Sequence, residues 1–415
     1  RRAPLRRQGG KEVKKPDAKT VNRLISAAFV ALFALLALTP LVPEAEVGSR
    51  MMISALGIDS SGGVVTLTAE TAGGSGAETV RGEGARVTDA LQDMNERYGR
   101  KAELGHCGAI VMGGGMAAED TAFALMSLLS EAAVGAGCAV VSAEGSAEEF
   151  VCAAVRLGEE SGDGVTSYIG FADSSSSVSV PTALTALADL KSRSGATALP
   201  VFAAEKKQGE TVDKDSQNSG SDDGGQGSGK SGGETELIPP RVARVVGGTV
   251  FDLSEDATVG LMLFSPRALG GLIDAVWRYG GEEYLLQGEI GGKDCGISVS
   301  ADGGLRVTMK ADVTMRFKDR FIVIERAGGE NVLSELTDTL NAAFTETLTR
   351  CALAAAESAR IEDFLGLRTE FYRSHPREYK ETNGDLSSAV TETEIKVEAY
   401  CTALDGVRHA SAISA

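Results

Sequence analysis

Apolar positions change their spacing several times along this chain, and each change predicts a different element. Residues 24–43 are uncharged throughout, bounded by Arg23 and Glu44. Two short apolar runs, 52–58 (MISALGI) and 64–69 (VVTLTA), then flank Asp59-Ser-Ser-Gly-Gly, which predicts a β-hairpin. Val87, Leu91, Met94 and Tyr98 recur at helical spacing, with Gly99 placed to cap the C-terminus. Residues 109–112 read as a strand, 117–130 as a helix and 138–141 as a strand. Ser146 and Glu149 have capping-box spacing ahead of a helix over 147–157. Such alternation predicts an α/β or α+β layer over 48–203.

Residues 205–236 interrupt the pattern. Among these 32 residues Val212 is the one apolar side chain, against eight Gly and five Ser. That composition cannot offset its ordering entropy, so a disordered linker is expected over 204–237. Beyond it, 242–253 predicts two short strands around Gly247-Gly248, 266–279 a helix, and 288–299 strands. Leu305, Val307, Met309, Ala311, Val313, Met315 and Phe317 alternate as one face of a strand. Leu333, Leu336, Leu340, Phe344, Leu348 and Cys351 predict the longest helix of the body, over 330–360. Residues 363–374 continue helically to Pro376, and 390–403 close the chain as a strand. On that strand Glu392, Glu394, Lys396 and Glu398 mark a solvated face. The expected class is α+β, with mixed or antiparallel sheets and packed helices. A middle subdomain is expected at 238–300 and a C-terminal one at 301–410.

Charge adds topology. The 415 residues carry 41 basic and 58 acidic side chains, a net charge of −17, yet residues 1–23 hold nine Lys/Arg and two acids. The acidic body repels phosphate backbones, so nucleic acid is not an expected partner. The basic tail precedes an apolar run whose strong part, 24–38, has fifteen residues before Pro40 and Pro43. That length falls between a signal-peptide core and a membrane span. The basic flank would keep the N-terminus cytoplasmic and place the body outside. No small-x-small cleavage site follows, and the first cysteine is Cys107, so no lipobox is present. An uncleaved signal anchor is preferred to a cleaved secretory peptide. The chain opens on Arg1 rather than Met, and earlier residues are expected.

Candidate chemistry is sparse. Gly113-Gly114-Gly115-Met116-Ala117-Ala118 matches G-x-G-x-x-A between a strand and a helix, with Glu144 ending the next strand. In a dinucleotide site Gly113 and Gly115 would admit the pyrophosphate and Glu144 would hold the ribose. The plainer reading is a tight strand-to-helix turn. His106, His375 and His409 have no second ligand at helical spacing, so neither a metal site nor a hydrolase site is expected. Cys107, Cys138, Cys152, Cys295, Cys351 and Cys401 show no C-x-x-C spacing. A Cys107–Cys138 disulfide is conceivable outside the cell, and buried free thiols are preferred. No nucleophilic triad or carboxylate pair stands out; no cofactor and no enzymatic activity are expected.

Several segments, taken in order, resemble one family. They are Ser54-Ala55-Leu56-Gly57-Ile58-Asp59; Asn95 to Lys101 followed by Leu104-Gly105-His106; 176–189 with Ala198-Leu199-Pro200; Val246 to Phe251 with Gly260-Leu261; and Phe371 to Tyr379. On these the chain from about 48 to 403 is similar to the Ger(x)C, or GerAC-like, family, the C subunits of spore germinant receptors. The resemblance implies a three-domain, α+β exterior protein without catalytic activity. Its implied partners are an A subunit and a multispanning B subunit, at the outer face of the spore inner membrane. It points to Gly57, Asp59, Gly105, His106, Phe251, Tyr372 and Pro376 as structural or partner-facing positions, with turn and core packing as the plainer role. The chain departs from the family pattern at 44–50 (EAEVGSR), which lacks a lipidated cysteine and a Trp-Asp/Glu segment. A helical anchor over 24–43 would take their place. The Gly/Ser/Asp-rich linker suggests loose coupling of the two halves.

Overall fold

The structure, a computed structural model, describes residues 27, 29–30, 49–72, 78–158, 164–175, 178–206, 235–265, 268, 271–300, 306–317, 333–381 and 394–403. Ala27, Phe29 and Val30 are helical and exposed. The rest of the predicted anchor, the basic tail, Val212, Glu392 and His409 lie outside the described residues. Among the described residues no helix is long and apolar enough to cross a membrane.

Strand β1 (Arg50–Ser61) turns through Gly62 and Gly63 into β2 (Val64–Thr71). Both glycines hold positive φ, 60° and 80°, as a two-residue hairpin turn requires. The predicted turn is therefore shorter than Asp59-Ser-Ser-Gly-Gly: Asp59 is still strand and pairs with Thr66. Next come β3 (Glu78–Gly84), α1 (Val87–Tyr98), β4 (Lys101–Glu103), β5 (Ala109–Met112), α2 (Ala118–Ser130), β6 (Ala139–Ala143), α3 (Ala147–Gly158), α4 (Gly164–Ser174), α5 (Ala183–Lys191) and β7 (Thr197–Lys206). Gly99 ends α1 in the left-handed conformation, as its spacing predicts. Apolar spacing misses α4 and α5 because much of what they bury is small: Gly164 and Ala172 in one, Ala183 and Ala186 in the other.

Strands β1, β5, β6 and β7 lie side by side and parallel. Ile53, Ile58, Ile110 and Met112 on one face pack with α1, α2 and α5. The opposite face presents smaller Ala55, Ala109, Val111 and Ala143 to α3 and α4. Gly57 explains the close fit of α3: a Cβ there would stand 3.1 Å from Val151 Cγ2 and 3.2 Å from the Ala147 carbonyl.

The expected break at 204–237 does not interrupt the sheet. Strand β8 (Thr235–Ile238) pairs antiparallel with β7, from Lys206↔Thr235 to Ala203↔Ile238. Strand β9 (Ala243–Val246) also pairs with β7, and β10 (Val250–Asp252) pairs with β9. Residues 207–234 of the expected linker lie outside the described residues, and the first sheet takes three strands from beyond them. The order is β10-β9-β7-β6-β5-β1-β2-β3, with β4 on β1 and β8 on β7.

A short helix α6 (Glu255–Phe264) leads to β11 (Leu272–Tyr279), β12 (Glu282–Ser300) and β13 (Arg306–Phe317). The helix expected over 266–279 is a correction: Ile273, Ala275 and Trp277 are buried in alternation, the period of a strand, and pair into β12. The elements of 238–300 consequently serve both sheets. Helix α7 (Leu333–Ala359) is the predicted long helix, followed by α8 (Leu367–Ser374) and α9 (Pro376–Glu381). The helix expected from 363 starts only at Leu367, with Gly366 as its left-handed N-cap at a φ of 78°. The last strand, β14 (Glu394–Ala403), runs parallel to β13, and the helices between them provide the crossover that a parallel pair needs. Leu340, Phe344 and Leu348 of α7 fill the second core with Trp277, Val313 and Met315. Gly260 lets α6 cross α7 closely, since a Cβ there would overlap the Cys351 carbonyl.

Candidate functional site

Charged side chains on one element terminate helices that lie far away in sequence, and these contacts organise the polar interior. Asp59, near the end of β1, receives the Ala147 N–H on Oδ1 at 2.9 Å and the Glu148 N–H on Oδ2 at 3.0 Å. Ser146 donates its hydroxyl to Asp59 Oδ2 at 2.9 Å while accepting from the Glu148 N–H at 3.1 Å. The cap of α3 is thus Asp59 with Ser146, in place of the predicted Ser146/Glu149 box. On β2 the buried Glu70 does the same for α4, accepting from the Gly164 and Val165 N–H groups at 2.8 and 3.3 Å. Lys293 of β12 closes the other end of a helix, donating to the Met262 carbonyl of α6 and to that of its C-cap Ser265 at 2.7 Å each. Replacing Asp59 with alanine should cost about 2 kcal/mol, the upper range for a lost cap. An unfolding free energy from urea titration within about 0.5 kcal/mol of wild type would contradict this role.

The glycine-rich turn sits beside Asp59. A Cβ on Gly113 would overlap Asp59 Oδ1, and one on Gly114 would lie 2.5 Å from Arg244 Nη1 and 2.8 Å from the Ala143 carbonyl. Arg244 is buried on β9; its guanidinium grips Asp252 at 2.6 and 2.9 Å and donates to Ser142 Oγ at 3.2 Å and the Ala143 carbonyl at 2.9 Å. The space that glycines would offer a pyrophosphate is occupied by a carboxylate at Gly113 and by a satisfied guanidinium at Gly114. Gly115 has no neighbour within 4 Å of where a Cβ would stand, and Glu144 is exposed. At Gly113 and Gly114 the turn serves packing.

A second polar cluster joins the halves of the chain. Asp363, 2% exposed, accepts from the Leu367 and Arg368 N–H groups of α8 at 2.6 and 2.7 Å and from Ser194 Oγ at 2.7 Å. Burial pushes its carboxyl above the usual carboxylate range, against the opposing effect of these hydrogen bonds. Beside it the Arg193 guanidinium lies 3.5 Å from the ring centre of Tyr372, and Tyr379 meets Tyr372 edge-on at 5.2 Å. Glu362 Oε1 accepts from the Thr249 N–H at 2.6 Å. Phe251, Ala354 and Phe364 each pack against the small buried cluster of Ala196, Ala243, Val245, Leu253 and Ala257.

Of the residues singled out from sequence, Gly57 and Asp59 therefore meet at α3, and Phe251 and Tyr372 lie at this joint. Gly105 and His106 form an exposed turn elsewhere, and exposed Pro376 opens α9. His375 reaches the Val299 carbonyl of β12 at 2.9 Å. Arg244, Asp252, Glu70, Ser194 and Asp363 are missed by the sequence reading. The donors to Glu70 stand 94 and 95 positions away, and Ser194 stands 169 from Asp363, too far for any local spacing to show.

Cys107 and Cys138 are free and both buried, their sulfurs 4.0 Å apart. The hydrogen bond to Cys107, with burial, pushes the Cys138 thiol up. Burial pushes Cys351 and Cys401 up to about 12. Native alkylation at pH 8 should therefore proceed at these two on the order of a thousandfold more slowly than at an ordinary thiol. Rapid labelling of either, mapped by peptide mass, would contradict this. Among the described residues no group of three His, Cys, Asp or Glu stands together as a metal site.

Two α+β layers locked by carboxylate-capped helices define a protein whose polar interior is committed to holding its parts together. Comparison with known families places it. Residues 44–204 match the spore germination protein N-terminal domain, and residues 246–403 match the spore germination B3/GerAC-like C-terminal domain. The chain belongs to the GerAC-like spore germination family. No curated protein matches it. Among solved structures it is similar to one described as the crystal structure of the GerBC protein, at 12% identity and a TM-score of 0.45, over 85% of this chain and 97% of that one.

Proposed function

We propose that this chain is the C subunit of a spore germinant receptor, acting as a non-enzymatic scaffold that couples its partner subunits during nutrient-triggered germination. The observation that carries this reading is the succession of both family domains, N-terminal then C-terminal, along one chain. The joint at Ser194 and Asp363 supports a scaffold role, because it makes the two matched regions mechanically continuous. A reaction centre is disfavoured because Asp59, Glu70 and Asp363 are engaged as helix caps. The proposed partners are an A subunit and a multispanning B subunit. The proposed location is the outer face of the spore inner membrane, with residues 24–43 as anchor and the basic tail inside.

Deleting and complementing the gene in its spore-forming host tests the reading. Mutant spores should ignore one class of nutrient and still respond to a trigger that bypasses receptors. Normal responses to every nutrient would point to a different envelope role. A defect in both arms would place the protein downstream of the receptor.

A further inference from the structure

Cys107 and Cys138 stand just ahead of the parallel strands β5 and β6, and both enter the core that the sheet shares with α1, α2 and α5. Their sulfurs are 4.0 Å apart. A disulfide brings sulfurs to about 2 Å, and two side chains that each turn about one bond can share that approach. The backbone keeps the pair together. The Ala139 N–H donates to the Gly108 carbonyl at 3.0 Å, and the Ala183 N–H to the Cys138 carbonyl at 2.7 Å. There is also room to adjust, since Gly135 and Gly137 ahead of Cys138 have nothing within 4 Å of where a Cβ would stand. The remaining cysteines are set elsewhere. Cys152 lies on α3 across the sheet, Cys351 faces Asp256 at 3.6 Å, and Cys295 and Cys401 belong to the second sheet.

We propose that Cys107 and Cys138 are a site of disulfide formation, oxidised as the chain folds and sealed once it has folded. The co-reactant is another disulfide, small or protein-borne. One thiol of the chain gives up its proton and its sulfur attacks that disulfide, forming a mixed disulfide and expelling a thiolate that takes up the proton. The second sulfur of the chain then displaces the other half in the same way. Two thiols become one S–S bond, and the co-reactant leaves as two thiols, carrying two electrons and two protons. The timing follows from burial. Cys107 and Cys138 are 5% and 4% exposed, so an oxidant meets them before the core closes and a reductant does not reach the bond afterwards. The bond closes a loop that holds β5, the glycine-rich turn and α2. Its formation depends on the fold alone; its presence in the spore rests on the exterior location proposed above.

Cell-free translation of the full chain, with oxidised or with reduced glutathione, tests the site, because the chain then folds as it is made. After denaturation, alkylation and peptide mapping, the oxidised sample should carry a Cys107–Cys138 link and the reduced sample six alkylated cysteines. Reduced glutathione added to the folded, linked protein should leave the bond intact, and the same reductant in urea should remove it. The linked protein should melt about 5 °C above the unlinked one, the scale expected for closing a loop of about 30 residues. Cys107→Ala combined with Cys138→Ala should melt alike from both translations. Six free thiols, glutathione on either cysteine, or a different linked pair in the oxidised sample would overturn the proposal. So would ready reduction of the bond in the folded protein, or a linked protein that melts no higher than the unlinked one. Thiol trapping in spores separates the two readings: a chain that links in translation and is a dithiol in spores keeps the site and removes the exterior location.

Discussion

Asp363→Ala should lower folding stability by about 3 kcal/mol, because one buried side chain serves three donors, two of them backbone N–H groups at the start of α8. Leu367 and Arg368 lose the cap of α8, and Ser194 loses the partner that ties β7's approach to the C-terminal half. Urea unfolding read by two probes, circular dichroism and Trp277 fluorescence, should also lose coincidence as the halves separate. A variant within about 0.5 kcal/mol of wild type, melting as one unit, would remove Asp363 from the joint. The same carboxyl gives a pH signature. Its folded-state pKa is raised, so the folded protein holds the proton more readily than the unfolded chain. The stability it contributes is complete below the unfolded value near about 4 and is lost as pH rises through the folded value. Compared with Asp363→Asn, which cannot titrate, wild type should lose ground as pH is raised from acid towards neutrality. A difference between the two that does not change with pH would contradict the shift.

The second large effect belongs to Gly114. A methyl group there meets the Ala143 and Glu144 carbonyls as well as Arg244, and backbone cannot step aside as a long side chain can. Gly114→Ala should cost about 3 kcal/mol, at the upper end for overpacking, whereas Gly115→Ala should be tolerated. Combining Gly114→Ala with Arg244→Ala should cost less than the sum of the two, because both disturb the same contact. Measured urea midpoints that rank Gly115→Ala below Gly114→Ala would reject the packing role assigned to this turn.

These residues also show how far the sequence could be read. The hairpin at β1–β2, α1 with its Gly99 cap, the alternation of β13 and the long α7 were legible because each signal is confined to neighbouring positions. Asp59 was visible as a motif residue, but its task was not, since its donors are Ala147 and Glu148. Ser194 and Asp363 stand 169 positions apart, and nothing in either neighbourhood announces the other. The misread helix over 266–279 has a related cause. Its buried positions alternate, but Ile273, Ala275 and Trp277 are too few for a period of two to outweigh Pro266 as an apparent helix start. Sheet membership was the least legible feature, because β9 and β10 join strands encoded before the low-complexity segment.

That arrangement bears on how the polypeptide could be made. The pairing of Lys206 with Thr235 brings together the residues on either side of 207–234. Two separately expressed pieces, one ending at Lys206 and one starting at Thr235, would each carry an unfinished sheet edge matched to the other's. Reassociation would restore β7's pairing with both β8 and β9. A protease cut inside the segment would leave a nicked molecule that still migrates as one body under native conditions.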